Sequence, residues 1–348
     1  MATGVCAVTF APPVPAQAQE LPDHLSPRPF DGDALTGSLH TVTIVTPDVS
    51  GLSKLYVDGL GMTMSAPLPI DDGARAVLRA LWGMPEDLAF DVRTLTRPGA
   101  PTATHIRVIA TEHVTPPIRQ SWSRQEAGPY GMGFPNTDVE AWDKLVIGLG
   151  FTRSTEEIER FPLKASDGSA YEVQEATFNG PEYLRAIAIS RGGGMAQVGD
   201  VDPATGRGGP AYATQVLTAE GMDPMIAFLT NVLDFEVRSD RMWTLYEVPF
   251  RFATVHARGA TTGHIALAAY EAKDLEPGTG NTPAPPNRGM AMWSFETRDI
   301  DEVAMRAKTH GAAIKAGPLR VDSPDLGPVT AMTVIAPNGF LIEVFQPA

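Results

Sequence analysis

Glu343 is the residue of this sequence whose setting most demands a chemical explanation. It stands in the run FLIEVF, alternating with Leu341 and Phe345, and an unpaired carboxylate costs several kcal/mol to bury as an ion. It needs a partner: an Arg or Lys, a strand end open to water, or a role as ligand or general base. His256, in FRFATVHARG, alternates with apolar neighbours in the same way and suits a cavity-facing base, acid or ligand. His40, in LHTVTIV, is either a hydrogen-bonded histidine at the mouth of a sheet or a functional one. His105 and His264 hold matching places in THIRVIA and GHIALAA, and strand alternation is expected to turn both away from the face Glu343 uses. Trp293 and Tyr246 suit the wall of an apolar pocket, although aromatic residues in strands are mostly core.

Positioning these side chains requires a repeated unit. A β-like run, an acidic turn and an amphipathic helix closing on Gly or Asp recur four times. The copies are LHTVTIVTPDVSGLSKLYVDGLGM, YGMGFPNTDVEAWDKLVIGLGF, YATQVLTAEGMDPMIAFLTNVLDF and GMAMWSFETRDIDEVAMRAKTHGA, with helix ends at Gly61, Gly150, Asp234 and Gly311. Asp48, Asp138 and Asp299 stand where an N-cap accepts hydrogen bonds from the free amides of a first helical turn. Leu52, Leu55, Tyr56 and Leu60 form one helical stripe, and Val139, Trp142, Leu145, Val146 and Leu149 form another. Strand-like runs follow, such as LAFDVRTLT, THIRVIAT, VTAMTVIA and FLIEVF. One helix on a small curved sheet leaves the other sheet face bare, so such units must pair, and paired concave faces enclose a cavity. The expected fold class is α+β: four βαβββ modules paired into two curved, cup-like mixed sheets with helices outside. With their linkers the modules run 39–128, 129–209, 210–287 and 288–348.

This arrangement, opening on LHTVTIV and ending on APNGFLIEVFQP, resembles the vicinal oxygen chelate superfamily of glyoxalases and extradiol dioxygenases over residues 39–348. The resemblance implies a divalent metal (Fe, Mn, Zn or Ni) in a cup, held by His, Gln or Glu of a first strand and Glu of a last one. His40 and Glu343 match those two positions, and they share a cup only if module 1 pairs with module 4. The other first-strand positions read Tyr130, Tyr212 and Ala291, and the last-strand positions Val108, Ala186 and Leu267, none a usual ligand. The histidine pair of four-module dioxygenases is therefore missing, and the phenols of Tyr130 and Tyr212 replace ligands, either binding a carbonyl or completing the packing. The implied function is chemistry on a small oxygenated, possibly aromatic, molecule, as a lyase, isomerase or dioxygenase. Glu343, His40 and His256 are its candidate catalytic residues, and Tyr212, Tyr130, Trp293 and Tyr246 its substrate contacts. The alternatives are a metal-free acid/base enzyme and a protein that only sequesters its ligand.

Bulk properties narrow the remaining classes. A formal charge of -14 argues against nucleic acid as a partner, and no run approaches the ~20 apolar residues of a membrane-spanning helix. The single cysteine, Cys6, permits neither a disulfide framework nor a cysteine zinc site. RGGGMAQVGD and TGRGG lack the strand-to-helix setting of a phosphate loop, so no nucleotide cofactor is expected. Residues 1–38 are rich in Pro and Ala and are expected to be disordered or signal-like. The expected compartment is the cytoplasm, or the periplasm or exterior if VCAVTFAPPVPAQAQE ends a signal peptide. The sequence leaves the oligomeric state open.

Overall fold

The computed structural model describes residues 32–164, 168–245 and 247–348. Tyr246 and residues 1–31, most of the segment expected to be disordered or signal-like, lie outside them.

The first module runs β1 (Thr36–Thr46), α1 (Val49–Ser53) continuing into a π turn (Lys54–Gly59), β2 (Thr63–Met64), α2 (Asp72–Trp82), β3 (Phe90–Thr96) and β4 (His105–Thr111). The second runs β5 (Gly128–Pro135), α3 (Val139–Gly148), β6 (Thr152–Arg153), β7 (Glu159–Lys164), β8 (Ala170–Asn179) and β9 (Arg185–Arg191). The third comprises β10 (Tyr212–Thr218), α4 (Ala219–Leu233), β11 (Phe235–Leu245), β12 (Val248–Ala257) and β13 (His264–Tyr270). The fourth comprises β14 (Gly289–Thr297), α5 (Ile300–Thr309), β15 (Ala313–Ser323), β16 (Gly327–Ile335) and β17 (Leu341–Pro347).

The helices start and stop where short-range chemistry dictates. The carboxylates of Asp48, Asp138 and Asp299 accept from the amides of Gly51, Ala141 and Glu302, satisfying donors a first turn leaves open. The chain leaves each module's main helix through a left-handed residue, Gly61, Gly150, Asp234 or Gly311, a conformation glycine adopts without steric cost.

Among the described residues the strands form two mixed sheets. The 8-stranded one, in the order β15-β16-β17-β14-β1-β4-β3-β2, pairs module 1 with module 4 across an antiparallel β1–β14 seam. The 9-stranded one pairs modules 2 and 3 across β5–β10, with β7 added beside β8. Each sheet carries two helices on its convex side, and one continuous core joins Leu52, Trp142, Leu229 and Val303 to strands of both sheets. Trp142 donates its indole N–H to the Gly59 carbonyl at 2.7 Å, tying module 2 to module 1 behind the cups.

Helix α2 departs from the expectation that helices lie outside. Asp71 caps it through the Ala74 amide, Gly83 ends it at φ 71°, and its stripe of Ala74, Leu78, Leu81 and Trp82 is buried. That stripe lies on the concave side of the first sheet, against Val45, Val92, Ile109, Ala331 and Phe345. The cup of modules 1 and 4 is thus filled by the protein itself.

Candidate functional site

His40 and Glu343 belong to the same sheet, since module 1 does pair with module 4: Thr41 faces Ser294 across the seam, and Ser294 is in register with Glu343. The register shifts between Leu39 and Thr41, so His40 sits in a bulge. Its Nδ1 lies 2.8 Å from the Thr41 hydroxyl, and its ring meets His105 and Phe345 edge-on.

Glu343, only 1% exposed, is fully engaged. Oε1 accepts from the Trp82 indole at 2.8 Å; Oε2 accepts from Arg107 at 2.8 Å and from the Ser294 hydroxyl at 2.7 Å. Arg107 also donates to Asp325 at 2.7 Å, and its guanidinium lies 4.9 Å from the centroid of the Trp82 ring. Burial alone would lower the Arg107 pKa, but Asp325 and Glu343 outweigh it and hold the guanidinium charged beyond its ordinary range. The partner that burial of Glu343 required is therefore an arginine of β4, and a fixed protein cation occupies the cup.

These donors do not fit the metal that the fold family implies. Both Glu343 oxygens are committed to protein donors, and His40 turns one nitrogen to Thr41. No group of three or more His, Cys, Asp or Glu able to hold an ion occurs among the described residues. The expected metal pair, His40 and Glu343, thus shares a sheet without forming a ligand set.

The second cup, of modules 2 and 3, is open. It encloses a cavity of about 660 Å³ lined by Tyr130, Tyr212, Trp243, Phe250, Phe252 and Tyr270, with Glu175, Gln215, His256 and His264 among them. Tyr212, His264 and His256 form a continuous stack, with ring centroids 5.0 Å and then 4.4 Å apart. Five buried side-chain atoms lacking a hydrogen-bond partner line this cavity: both amide atoms of Gln215, Nε1 of Trp243 and Nδ1 of His256 and His264. Such groups are rare in folded proteins and call for a ligand or solvent partner.

Electrostatics distinguishes the titratable groups here. Burial, reinforced by Glu159 and opposed by Arg124, raises the Glu175 carboxyl to about 7. Burial, with Arg238 nearby, lowers His256 to about 4, and burial together with His256 pushes His264 well below the ordinary imidazole value, so both rings are neutral at pH 7. Burial raises Tyr212 and Tyr130, keeping both phenols protonated as donors. Glu175 and Tyr212 lie close enough for each charge to act on the other.

The structure thus gathers His256, Tyr212 and Tyr130 into one cavity and leaves His40 and Glu343 in the other cup. Trp293 is corrected as a pocket residue: it lies in the helix-side core, against Phe340 and donating to the Met290 sulfur at 3.2 Å. His105 and His264 are corrected in facing. His264 lines the open cavity, and His105 shares its strand phase with Arg107, which binds Glu343. The cause is a slip of one residue in pleat phase: Val108, Ala186 and Leu267 lie in the helix-side core, and Arg107, Ile187 and Ala266 face the cups.

Sequence reasoning missed Glu175 and Arg107. Each was signalled as Glu343 was, by a charge in the inward phase of a strand: Glu175 between Val173 and Thr177 in EVQEATF, Arg107 between His105 and Ile109 in HIRVIAT.

The fold is thus a mixed sheet built from a pair of βαβββ modules, made twice. Residues 212–344, which span the third and fourth modules, match the family model described as Glyoxalase/Bleomycin resistance protein/Dioxygenase superfamily. The chain is similar in fold to glyoxalase I from Zea mays, at 14% identity and TM-score 0.57, covering 89% of this chain and 92% of that one. A protein of Bacillus subtilis subsp. subtilis str. 168, described provisionally as a dioxygenase, aligns at 15% identity and TM-score 0.55, covering 90% and 86%. No curated protein matches the sequence. Among the described residues no helix is long and apolar enough to cross a membrane.

Proposed function

We propose that the cup of modules 2 and 3 is the active site of an enzyme that moves a proton on a small oxygenated organic molecule. Glu175 acts as the base, giving isomerase- or lyase-type chemistry. The observation that carries this reading is a carboxyl held near neutral pKa on the wall of a cavity of about 660 Å³ that five buried polar atoms without partners also line. A base poised near the working pH combines a useful ionised fraction with real basicity.

The other groups have complementary parts. Glu175 as carboxylate removes a proton from a carbon beside a carbonyl. The protonated phenol of Tyr212 donates to the oxygen on which charge then develops. Neutral His256 and the Gln215 amide orient the substrate by hydrogen bonds, and the Tyr212–His264–His256 stack gives its flat part a wall to lie on. The Arg107–Glu343–Asp325 cluster keeps the other cup shut and takes no part in the chemistry.

A screen of hydroxy ketones, diols, catechols and hemithioacetals, run with and without chelator, tests the reading. We expect turnover that survives chelation, disappears in Glu175→Gln and persists in Glu343→Gln. One equivalent of bound metal that is lost in Glu343→Ala, together with activity requiring it, would overturn the assignment. The same aromatic stack favours a second reading, a protein that sequesters a flat ligand without changing it. Tight binding of a compound that Glu175→Gln binds equally well, with no turnover in either protein, would establish that one.

A further inference from the structure

The charge inside the open cup is opposite to that of the molecule. The chain as a whole carries -14, yet four arginines, Arg124, Arg191, Arg238 and Arg241, line the cavity against a single carboxylate, Glu175. Two of the four are already neutralised: Arg124 pairs with Glu159, and Arg238 pairs with Glu236 at 2.9 Å. Arg191 and Arg241 form no ion pair among the described residues. Half-buried Arg191 donates to the Ala196 carbonyl at 3.4 Å, a marginal hydrogen bond. Arg241, exposed at the rim, donates to the Ser239 hydroxyl at 3.0 Å and lies 5.4 Å from the Trp243 ring centroid. Guanidinium groups beside an apolar cavity, with donors to spare, are arranged to receive an anion, since a charge-assisted hydrogen bond is about twice as strong as a neutral one.

We infer that the cup of modules 2 and 3 takes an organic anion, a carboxylate or its sulfonate equivalent on a flat apolar body, with the charge held by Arg191 and Arg241. The apolar body lies along the Tyr212–His264–His256 stack and against Trp243. This rests on the reading of that cup as the binding site and specifies its substrate class. The repulsive field of the acidic exterior makes the arginine pair a selective feature, because an anion gains only by reaching the cavity.

The test uses a matched pair of probes, 2-naphthoate and its neutral analogue 2-naphthamide, titrated calorimetrically into the whole protein. Quenching of indole fluorescence that is absent in Trp243→Phe locates each probe in the cup. We expect naphthoate to bind about ten-fold more tightly than naphthamide, the factor a single charge-assisted contact supplies. Arg191→Gln/Arg241→Gln should abolish that preference, and Arg191→Lys/Arg241→Lys, which keeps the charge, should retain part of it. Two results overturn the anion while leaving the cup as binding site: equal affinity with both probes quenching Trp243, or a naphthoate preference unchanged in the Gln variant. Failure of both probes to quench Trp243 overturns the anion and the cup together.

Discussion

Two inward-facing glutamates on two related cups have opposite fates. Glu343 is supplied with an arginine, an indole and a hydroxyl, and helix α2 fills the space before it. Glu175 faces a cavity, with another carboxylate nearby and Arg124 shared with Glu159. The residue type and strand phase are alike, and the surroundings decide the outcome: one carboxylate is satisfied by three donors, and the other is held as an acid up to about pH 7. One chain thus holds a cup filled by its own side chains beside a cup left open.

The contrast is tested most sharply by removing each charge. Glu175→Gln should lower kcat/KM by roughly 10²- to 10⁴-fold, the usual contribution of a positioned base, as read by steady-state kinetics on whichever substrate the screen yields. Arg107→Met should leave Glu343 and Asp325 buried without their cation and lower unfolding free energy by about 3–5 kcal/mol in urea titrations. Turnover per folded molecule should stay near wild type. If Arg107→Met instead abolished turnover without destabilising, the division of labour between the cups would be wrong.

The stability effect of Glu175→Gln should have the opposite sign. The folded-state pKa of about 7 lies above the ordinary 4.5, so folding favours the neutral acid, and the wild type loses stability as pH rises between those values. Glutamine avoids that loss. Glu175→Gln should therefore gain at most about 3 kcal/mol at pH 8, since each tenfold change in an acidity constant is worth about 1.4 kcal/mol, and nothing below pH 4. The same group sets the acid limb of the rate profile. kcat/KM should rise with pH to half its plateau near pH 7, and a limb centred near 4.5 would show that Glu175 is not the base. The smallest effect is remote from both cups: Asp299→Ala removes the α5 cap and should cost about 1 kcal/mol with no change in kinetics.

The repeat and its helices were legible because their signals are local. Asp48, Asp138 and Asp299 cap as their positions imply, and the apolar stripes they introduce form the shared core. Helix α2 carried equally local signals, Asp71, the stripe to Trp82 and Gly83, but a four-fold template passes over an element that only one copy contains. Pairing of module 1 with module 4 depends on contacts between distant parts of the chain, and no periodicity reports these. Arg107 was hidden by phase: a one-residue slip in assigning the inward face put Val108 and Leu267 where Arg107 and Ala266 belong, whereas Glu175 lies on β8, a strand to which the sequence pattern assigned no inward face.

The seam between β1 and β14 also orders events during synthesis. Modules 2 and 3 are neighbours along the chain, and their sheet can close while the ribosome is still making module 4. Module 1 has to wait, since the Arg107–Glu343 contact spans 236 residues. Until the strands of module 4 emerge, the β1 edge lacks its partner and the apolar face of α2 lacks part of its cover. Long-range pairing of this kind slows folding and leaves strand edges open to wrong partners. The nascent chain is therefore most exposed to aggregation at module 1, and the arginine in the closed cup is satisfied only when β17 arrives.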